Sequence, residues 1–374
     1  MLYSKYPLRF CEWYRMTAFV GGEFWFDPRF QTDSVNVRTD GMLFLNGGEA
    51  ALRLLCDDLT SRGVGEILAP SYMCPTIADA FDRYGLAYTF YRIRPDFRID
   101  LDDLLAKAAA HQVLYLINYF GYGFSAEELS VFEQLKSRGM EVIEDDAQGG
   151  FNRATVANIH FNSLRKMVPH DGCFFYSDRD LSGNLTKFAG LPNRRLPVIR
   201  RFRQEFARLL EDGAESFEEL NPLFEQTEHY YYEDLTVMGD REERNAALRL
   251  DWRAIEAKRK ANHRRLWEGL AGVPEIEAIF PKTSPHGPPL GFPIYVREGR
   301  RDALLAYLRE RSVYPPVHWD ILNDPRINKI RETAAMSAGI LTLVLDQRFD
   351  LEDMEYEAGL VRAFWGHGES TGAK

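Results

Sequence analysis

The chain has 374 residues, of which 45% are hydrophobic and 27% are charged, a composition typical of globular proteins. A chain of this length exceeds what one hydrophobic core usually supports, so we expect two domains. The formal net charge of -10 argues against a protein that binds nucleic acid or an anionic membrane surface, because both functions need clustered Lys and Arg side chains.

The amino terminus and the cysteines bear on the compartment and on metals. Residues 1–7 lack the charged start and the continuous apolar run of a signal peptide, and no later segment approaches a membrane span, which predicts a cytoplasmic protein without a membrane partner. The cysteines show no C-x-x-C spacing, so we expect neither a metal site nor a disulfide framework. They are Cys11, Cys56, Cys74 and Cys173.

Short apolar runs alternate with amphipathic segments in the first half of the chain. The predicted strands are Met42–Leu45, Ile67–Pro70, Tyr88–Tyr91, Val113–Ile117, Glu141–Ile143 and Cys173–Tyr176. The predicted helices are Glu49–Leu59, Thr76–Tyr84, Leu101–Ala109 and Ala126–Arg138. Strands that alternate with helices of this length indicate a parallel sheet covered by helices on both faces.

From Leu196 onward, longer charged helical segments replace this alternation. The helical stretches are Arg200–Glu211, Arg241–Leu270 and Arg301–Arg311, and the strands are Gly291–Val296 and Ile340–Val344. This pattern predicts a smaller α+β domain. We therefore expect an amino-terminal arm (1–40), a large domain (41–215), and a helical connection followed by a small carboxyl-terminal domain (216–374).

An acidic run follows the buried strand that contains Val142 and Ile143. Glu144–Gln148 has the sequence EDDAQ, and it lies where open α/β sheets place ligand-binding groups. Further along the chain, Ser163–Lys166 has the sequence SLRK. An enzyme that uses pyridoxal 5'-phosphate (PLP) needs such a pair, a lysine amine to bind the aldehyde and a carboxylate to keep the ring nitrogen protonated. The pair alone is weak evidence, because most acidic residues after strands and most lysines in loops contact only water.

Several segments, in order, resemble the sugar-nucleotide aminotransferases of the DegT/StrS group, which are PLP enzymes of fold type I. They are Gly47–Leu52, Pro70–Thr76, Glu144–Gln148, Ser163–Gly172, Pro289–Ile294, Val313–Trp319 and Leu341–Leu343. The resemblance implies an α/β fold, with a mixed, mostly parallel sheet between helices in the large domain and a smaller α+β domain. It also implies PLP as cofactor and a homodimer that transfers an amino group from glutamate or glutamine to a nucleotide-linked keto sugar.

The same resemblance assigns the catalytic roles to Lys166 and Asp145. Lys166 would bind PLP and carry a proton, whereas Arg165 beside it is the kind of neighbour expected in a solvated loop. Asp145 would pair with the ring nitrogen. Its competitor is Asp146, which a strand would point to the opposite face.

Further residues are candidates for holding the cofactor. The Gly48 and Glu49 amides, at the start of a helix, would bind the phosphate together with the Ser163 hydroxyl. The Glu49 carboxylate would repel a phosphate, so either its side chain points away or the cradle differs. Gln148 would contact the ring, or it is an ordinary amide bonded to backbone. Cys74 occupies the position where many relatives have an aromatic side chain that stacks on the cofactor ring. The alternative is that it is only a small buried thiol.

The substrate side is less well defined. Tyr72 and His318 are candidates for lining it, although a histidine after a Pro-Pro turn is often only packed. The segment from which relatives reach a neighbouring subunit's phosphate site has no clear counterpart. The nearest one, His229–Leu235, is rich in tyrosine and predicts core or dimer contacts, with one tyrosine reaching substrate across the interface.

Three other functions compete with transamination. An elimination or deoxygenation enzyme of the same fold is disfavoured, since relatives of that kind tend to replace the lysine and Lys166 is present. A catalytically silent binding or regulatory protein is disfavoured by the intact Asp145, Gln148 and Lys166. A dinucleotide-binding dehydrogenase is excluded because no G-x-G-x-x-G surrounds Gly47.

Overall fold

A computed structural model describes residues 19–151, 155–212, 217–280 and 287–367. The strands up to residue 177 are β1 (Val20–Gly21), β2 (Leu43–Leu45), β3 (Glu66–Pro70), β4 (Ala87–Tyr91), β5 (Val113–Ile117), β6 (Glu141–Asp146), β7 (Ile159–Asn162) and β8 (Cys173–Ser177). The helices in the same part are α1 (Gly48–Ser61), α2 (Pro75–Arg83), α3 (Leu101–Ala108) and α4 (Ala126–Ser137). The predicted elements of this half are therefore present, with ends shifted by a few residues.

Seven of these strands form one sheet in the order β2-β8-β7-β6-β5-β3-β4. All neighbours from β7 to β4 pair in parallel, whereas β8 pairs antiparallel with both β7 and β2. Every residue of β5 is buried, as expected for a central strand covered on both faces. The prediction of an α/β fold with a mixed, mostly parallel sheet is confirmed.

The direction of β2 decides where the first helix begins. Because β2 is antiparallel to β8 and β8 is antiparallel to β7, strands β2, β7 and β6 all run the same way. Their carboxyl ends therefore meet at one edge of the sheet. Gly47 follows β2 with a φ of 142°, a conformation that favours glycine, and caps α1. The turn thus brings the first amides of α1 to the edge where β6 ends.

The second half of the chain is mainly helical. Its helices are α5 (Ser182–Thr186), α6 (Arg195–Glu211), α7 (Asn221–Glu233), α8 (Arg241–Leu248), α9 (Trp252–Gly269), α10 (Arg301–Arg309), α11 (Arg331–Gly339) and α12 (Leu351–Phe364). Its strands are β9 (Ile276–Ala278), β10 (Phe292–Val296), β11 (Val313–Tyr314) and β12 (Ile340–Leu343). Strands β12, β10 and β9 form an antiparallel sheet in that order. This agrees with the α+β character predicted for the carboxyl-terminal part.

One predicted helix proves to be two. The sequence pattern predicts a continuous stretch over Arg241–Leu270, but the chain breaks between α8 and α9. Leu250 forms an isolated bridge with Gln31, and the Asp251 carboxylate accepts hydrogen bonds from the first amides of α9. A side chain that caps a new helix competes with continuation of the old one, which explains the break.

Two of the hydrophobic clusters lie on the two larger sheets. The first covers the seven-stranded sheet, and the second joins α6, α9, α12 and the antiparallel sheet. The described part of the predicted arm reaches this second cluster, because β1 pairs with β11 and Trp25 is 1% exposed. The domain limits at residues 40 and 215 stay predictions, and residues 1–18 of the arm lie outside the described residues. Among the described residues, no helix combines the length and the apolar character needed to cross a membrane.

A buried histidine should make the fold sensitive to acid. His263 of α9 is 3% exposed, and its ring packs against Phe292 at 5.1 Å between centroids. Burial lowers the pKa of His263 to about 4, and the nearby Arg264 charge adds to the effect. The unfolded chain would bind a proton below about pH 6.5, so stability is full above that pH and is lost as pH falls toward 4.

The expected loss from this one residue between pH 7.5 and pH 5 is about 2 kcal/mol of unfolding free energy. Denaturant titrations at the two pH values should therefore show a smaller loss for His263→Phe than for the wild type. His229→Phe is the matched control, because the His229 side chain is 60% exposed. Equal losses in the wild type and His263→Phe would assign the acid sensitivity to other groups.

Candidate active site

A cavity opens at the sheet edge where β5, β6 and β7 end and α1 begins. It brings together most of the sequence-predicted residues, namely Gly48, Glu49, Cys74, Asp145, Gln148, Ser163 and Lys166. Tyr231 and Trp319, which the sequence analysis did not select individually, also line it. Among the described residues, no group of His, Cys, Asp and Glu side chains could hold a metal ion.

Asp145 enters the cavity from the end of β6, between Ile117 of β5 and Phe161 of β7. Its Oδ2 accepts a hydrogen bond from the Tyr115 hydroxyl at 2.7 Å, and its Oδ1 accepts one from the Ala147 amide at 2.8 Å. Burial raises the pKa of Asp145, and these hydrogen bonds and the Lys166 charge oppose the rise. The carboxylate is thus fixed in orientation and placed where a cationic partner would stabilise its charge.

Asp146, the competing carboxylate, has a different environment. Its Oδ1 accepts a hydrogen bond from the Asn118 side-chain amide at 2.8 Å, and both groups are buried. It does not line the cavity, because successive side chains of β6 point to opposite faces. The geometry therefore favours Asp145 over Asp146 as the residue that meets a ligand.

Lys166 ends a short 3-10 turn, Leu164–Lys166, which follows β7 through Ser163. Burial lowers the pKa of Lys166, and the positive charge of Arg165 adds to this, while Cys74 and Asp145 oppose it. A lysine with a lowered pKa is more often neutral near physiological pH, so its amine can act as a nucleophile and as a base. The charges of Lys166 and Asp145 also act on each other's pKa.

The start of α1 forms one end of the cavity. A Cβ atom at Gly48 would lie 3.5 Å from the Ser163 Cβ and 3.9 Å from the Tyr231 hydroxyl, so the backbone here is closely approached. The Ser163 side chain is 2% exposed, and its hydroxyl has no hydrogen-bond partner among the described residues. A buried, unpaired hydroxyl beside helix-terminal amides suits an anion such as phosphate.

The Glu49 carboxylate is held by arginines. Its Oε1 lies 3.3 Å from an Arg83 nitrogen and 3.6 Å from an Arg53 nitrogen. Burial raises the pKa of Glu49, and the charges of the arginines oppose this. The Glu49 amide donates to the Tyr231 hydroxyl at 3.4 Å. Of the two alternatives predicted for Glu49, this geometry favours a side chain engaged with Arg53 and Arg83, and an amide directed to the cavity end.

Gln148 and Cys74 border the middle of the cavity. The Gln148 Oε1 accepts a hydrogen bond from the Phe120 amide at 2.9 Å, while its Nε2 donor has no partner among the described residues. Gln148 is thus bonded to backbone through one atom and keeps a donor for a ligand through the other. Cys74 caps α2, and its Sγ accepts a hydrogen bond from the Thr76 hydroxyl at 3.1 Å.

Tyr72 and His318 do not line this cavity, and their contact with substrate stays a prediction. Tyr72 is fully buried, and its hydroxyl donates to the His318 carbonyl at 2.7 Å and accepts from the Trp319 amide at 2.9 Å. His318 is bonded to the Thr342 hydroxyl at 3.0 Å. Burial lowers the pKa of His318 to about 3, with the Lys166 charge adding to it, so the ring stays neutral. Both residues support the loop that carries Trp319.

The residues that sequence reasoning missed come from distant segments. Trp319 adjoins His318, and Tyr231 lies in the tyrosine-rich segment His229–Leu235 on α7. Both segments were noted for their sequence, but nothing in a single sequence shows which aromatic side chain enters a cavity formed by other elements. The contact of a tyrosine of this segment with substrate across a subunit interface stays a prediction.

The α/β architecture is shared with solved structures of aminotransferases, which confirms the predicted fold class. No protein-family model matches the chain, and no curated protein matches it by sequence. Solved structures do match. The aminotransferase TlmJ from Streptoalloteichus hindustanus is 18% identical, with 88% of this chain and 87% of that chain covered and a TM-score of 0.62.

Two further structures are similar to the same extent. DesI, solved in the presence of its TDP-sugar product, is 18% identical, with 88% of this chain and 81% of that chain covered and a TM-score of 0.60. A DegT DnrJ EryC1 StrS aminotransferase from Brucella abortus is 16% identical, with coverages of 87% and 86% and a TM-score of 0.59. At these identities the matches establish a shared fold.

Proposed function

We propose that the protein is a PLP-dependent aminotransferase that transfers an amino group from an amino acid to a keto sugar carried on a nucleotide. The observation that carries the proposal is the cavity in which Lys166, Asp145 and the unpaired Ser163 hydroxyl meet, at the carboxyl edge of an aminotransferase-type sheet. Glutamate or glutamine is the proposed donor. The proposal includes a homodimer, which the resemblance of the sequence motifs to the DegT/StrS group implies, and a cytoplasmic location.

The described residues fit PLP at both ends of the molecule. The amides at the start of α1 and the Ser163 hydroxyl would hold the phosphate, and Asp145 would meet the ring nitrogen. Gln148 keeps an unpaired amide donor for the polar groups of the ring. When bound, PLP supplies an aldehyde that condenses with amines and a ring that accepts electrons. The protein contributes orientation, charge and proton transfer.

Lys166 would perform two tasks in this reaction. Its amine would hold the cofactor covalently until an amino-acid substrate displaces it. The released amine would then carry a proton from the substrate carbon to the aldehyde carbon of the cofactor. This task requires an amine that is neutral part of the time. The lowering of the Lys166 pKa by burial and by Arg165 supports this role.

Asp145 would keep the ring nitrogen protonated. The Tyr115 and Ala147 hydrogen bonds fix both carboxylate oxygens, so the charge is oriented before a ligand arrives. Burial of Asp145 makes the carboxylate costly to ionise without a cationic partner, and a protonated ring nitrogen would be that partner. Charge stabilisation at this position favours loss of a proton from the bound amino acid.

Elimination without amino transfer is the competing reaction, and a half-reaction separates the two. Protein loaded with PLP is mixed with excess glutamate or glutamine in the absence of a keto acceptor. A transaminase should release the matching keto acid once per active site, free no ammonia from the α-amino group, and pass that group to a keto sugar nucleotide added later. Failure of the wild type to bind PLP would reject the proposal, and release of ammonia without amino transfer would favour elimination.

A further inference from the structure

Tyr231 contacts the amino-terminal end of α1. The Arg53 guanidinium of α1 donates to the Asp234 carbonyl, just after α7, at 2.7 Å. The Tyr231 hydroxyl, near the end of α7, accepts from the Glu49 amide at 3.4 Å. A Cβ at Gly47 would lie 3.7 Å from the Tyr231 ring. The hydroxyl therefore lies at the helix start that the unpaired Ser163 hydroxyl also borders.

Guanidinium groups surround the Tyr231 ring. The Arg165 guanidinium lies 3.9 Å from the ring centroid, and that of Arg195 lies 5.3 Å from it. Both pair with the same carboxylate, because Glu228 lies 3.3 Å from Arg165 and 3.6 Å from Arg195. Arg195 has a second carboxylate partner in Asp171. Because Arg165 and Arg195 share Glu228, this carboxylate does not balance both guanidinium charges, and Arg165 contributes positive potential beside the hydroxyl.

On this basis we propose that Tyr231 and Arg165 of the same chain complete the PLP phosphate site, an inference that rests on the proposed function. The Tyr231 hydroxyl would donate to a phosphate oxygen bound by the Gly48 and Glu49 amides and by Ser163. A tyrosine hydroxyl can accept and donate hydrogen bonds at the same time, and a phosphate oxygen is a strong acceptor. Arg165 would hold the tyrosine ring and add positive charge.

A simple packing role for Tyr231 explains less of the geometry. Packing would require only the ring, whereas the hydroxyl reaches the Glu49 amide at the first turn of α1. The Ser163 hydroxyl, 2% exposed and unpaired among the described residues, independently marks the same place as a ligand site. A phosphate there would meet donors from the residue after β7, from α1 and from α7, all belonging to one chain. Closure of the phosphate site would then require no residue from a neighbouring subunit.

The test compares PLP with pyridoxal, which lacks the phosphate. Full-length protein freed of cofactor is titrated with each compound, and binding is followed by absorbance. Tyr231→Phe removes only the hydroxyl, and it should weaken PLP binding roughly tenfold while leaving pyridoxal binding unchanged. Arg165→Gln should weaken PLP binding in the same selective way. Tyr230→Phe is the matched control, because Tyr230 is on the same helix but does not line the cavity.

The comparison separates the possible failures. If PLP affinity is the same in the wild type and Tyr231→Phe, or if PLP and pyridoxal affinities fall equally, Tyr231 is not a phosphate ligand and the inference is overturned. Pyridoxal binding also reports whether each variant keeps a folded site. A wild type that binds no PLP at all would instead contradict the proposed function.

Discussion

Replacement of Lys166 by alanine should abolish amino transfer. The structure places this amine in a cavity where burial and Arg165 lower its pKa, and it is the residue proposed both to hold the cofactor and to move the proton. The expected fall in kcat is at least about 10³-fold, since the variant loses its general base as well as its nucleophile. The measurement is the initial rate of keto-acid formation from glutamate, with PLP and a keto sugar nucleotide acceptor in excess.

A spectroscopic readout accompanies the kinetic one. Wild-type protein with PLP should show a visible absorbance band that persists through dialysis and is removed by borohydride, whereas Lys166→Ala should bind PLP only reversibly. Small primary amines added to Lys166→Ala should restore part of the rate, because they can replace the missing base. Lys187→Ala is the control, as Lys187 is half exposed and pairs with Asp57 away from the cavity. Full activity and a stable band in Lys166→Ala would remove this residue from the mechanism.

The fold could be predicted largely because its signals are local. The apolar run of β5 and the amphipathic pattern of α2 depend on neighbouring residues, so a single sequence shows them. The antiparallel direction of β8 is not a local signal. The residues of β8 read as a strand, but its direction depends on which distant strands it pairs with, namely β7 and β2. The pattern that merged α8 with α9 failed because the Asp251 cap lies inside an otherwise helical stretch.

The candidate site shows the same division. Asp145, Gln148, Ser163 and Lys166 lie close together in sequence, so their motif spacing indicated a common site, and all of them line the cavity. Arg165 looked like a solvated neighbour from its sequence context alone. In the fold it lies against the ring of Tyr231, a residue more than sixty positions away in the numbering of the chain. Such contacts depend on helix placement, which motif spacing does not encode.

Asp145→Asn should lower kcat by about 10² to 10³-fold, with a smaller effect on KM. An asparagine keeps the size of the side chain but cannot hold a proton on the ring nitrogen by charge. The Tyr115 and Ala147 hydrogen bonds to the oxygens of residue 145 show that this side chain is oriented in advance, so the lost interaction is specific. A PLP analogue methylated at the ring nitrogen, which carries its positive charge permanently, should recover part of the lost rate.

The matched control is Asp146→Asn, the same substitution one residue along β6. Asp146 is bonded to Asn118 and does not line the cavity, so its replacement should alter stability more than kcat. If Asp146→Asn causes the large loss of kcat and Asp145→Asn does not, the partner of the ring nitrogen is Asp146. The motif is then displaced by one residue, and the proposed contact of Asp145 with the ring is wrong. If neither variant loses activity, the reaction needs no charged partner for the ring nitrogen. An aminotransferase mechanism in which a protonated ring withdraws electrons would then not hold for this protein.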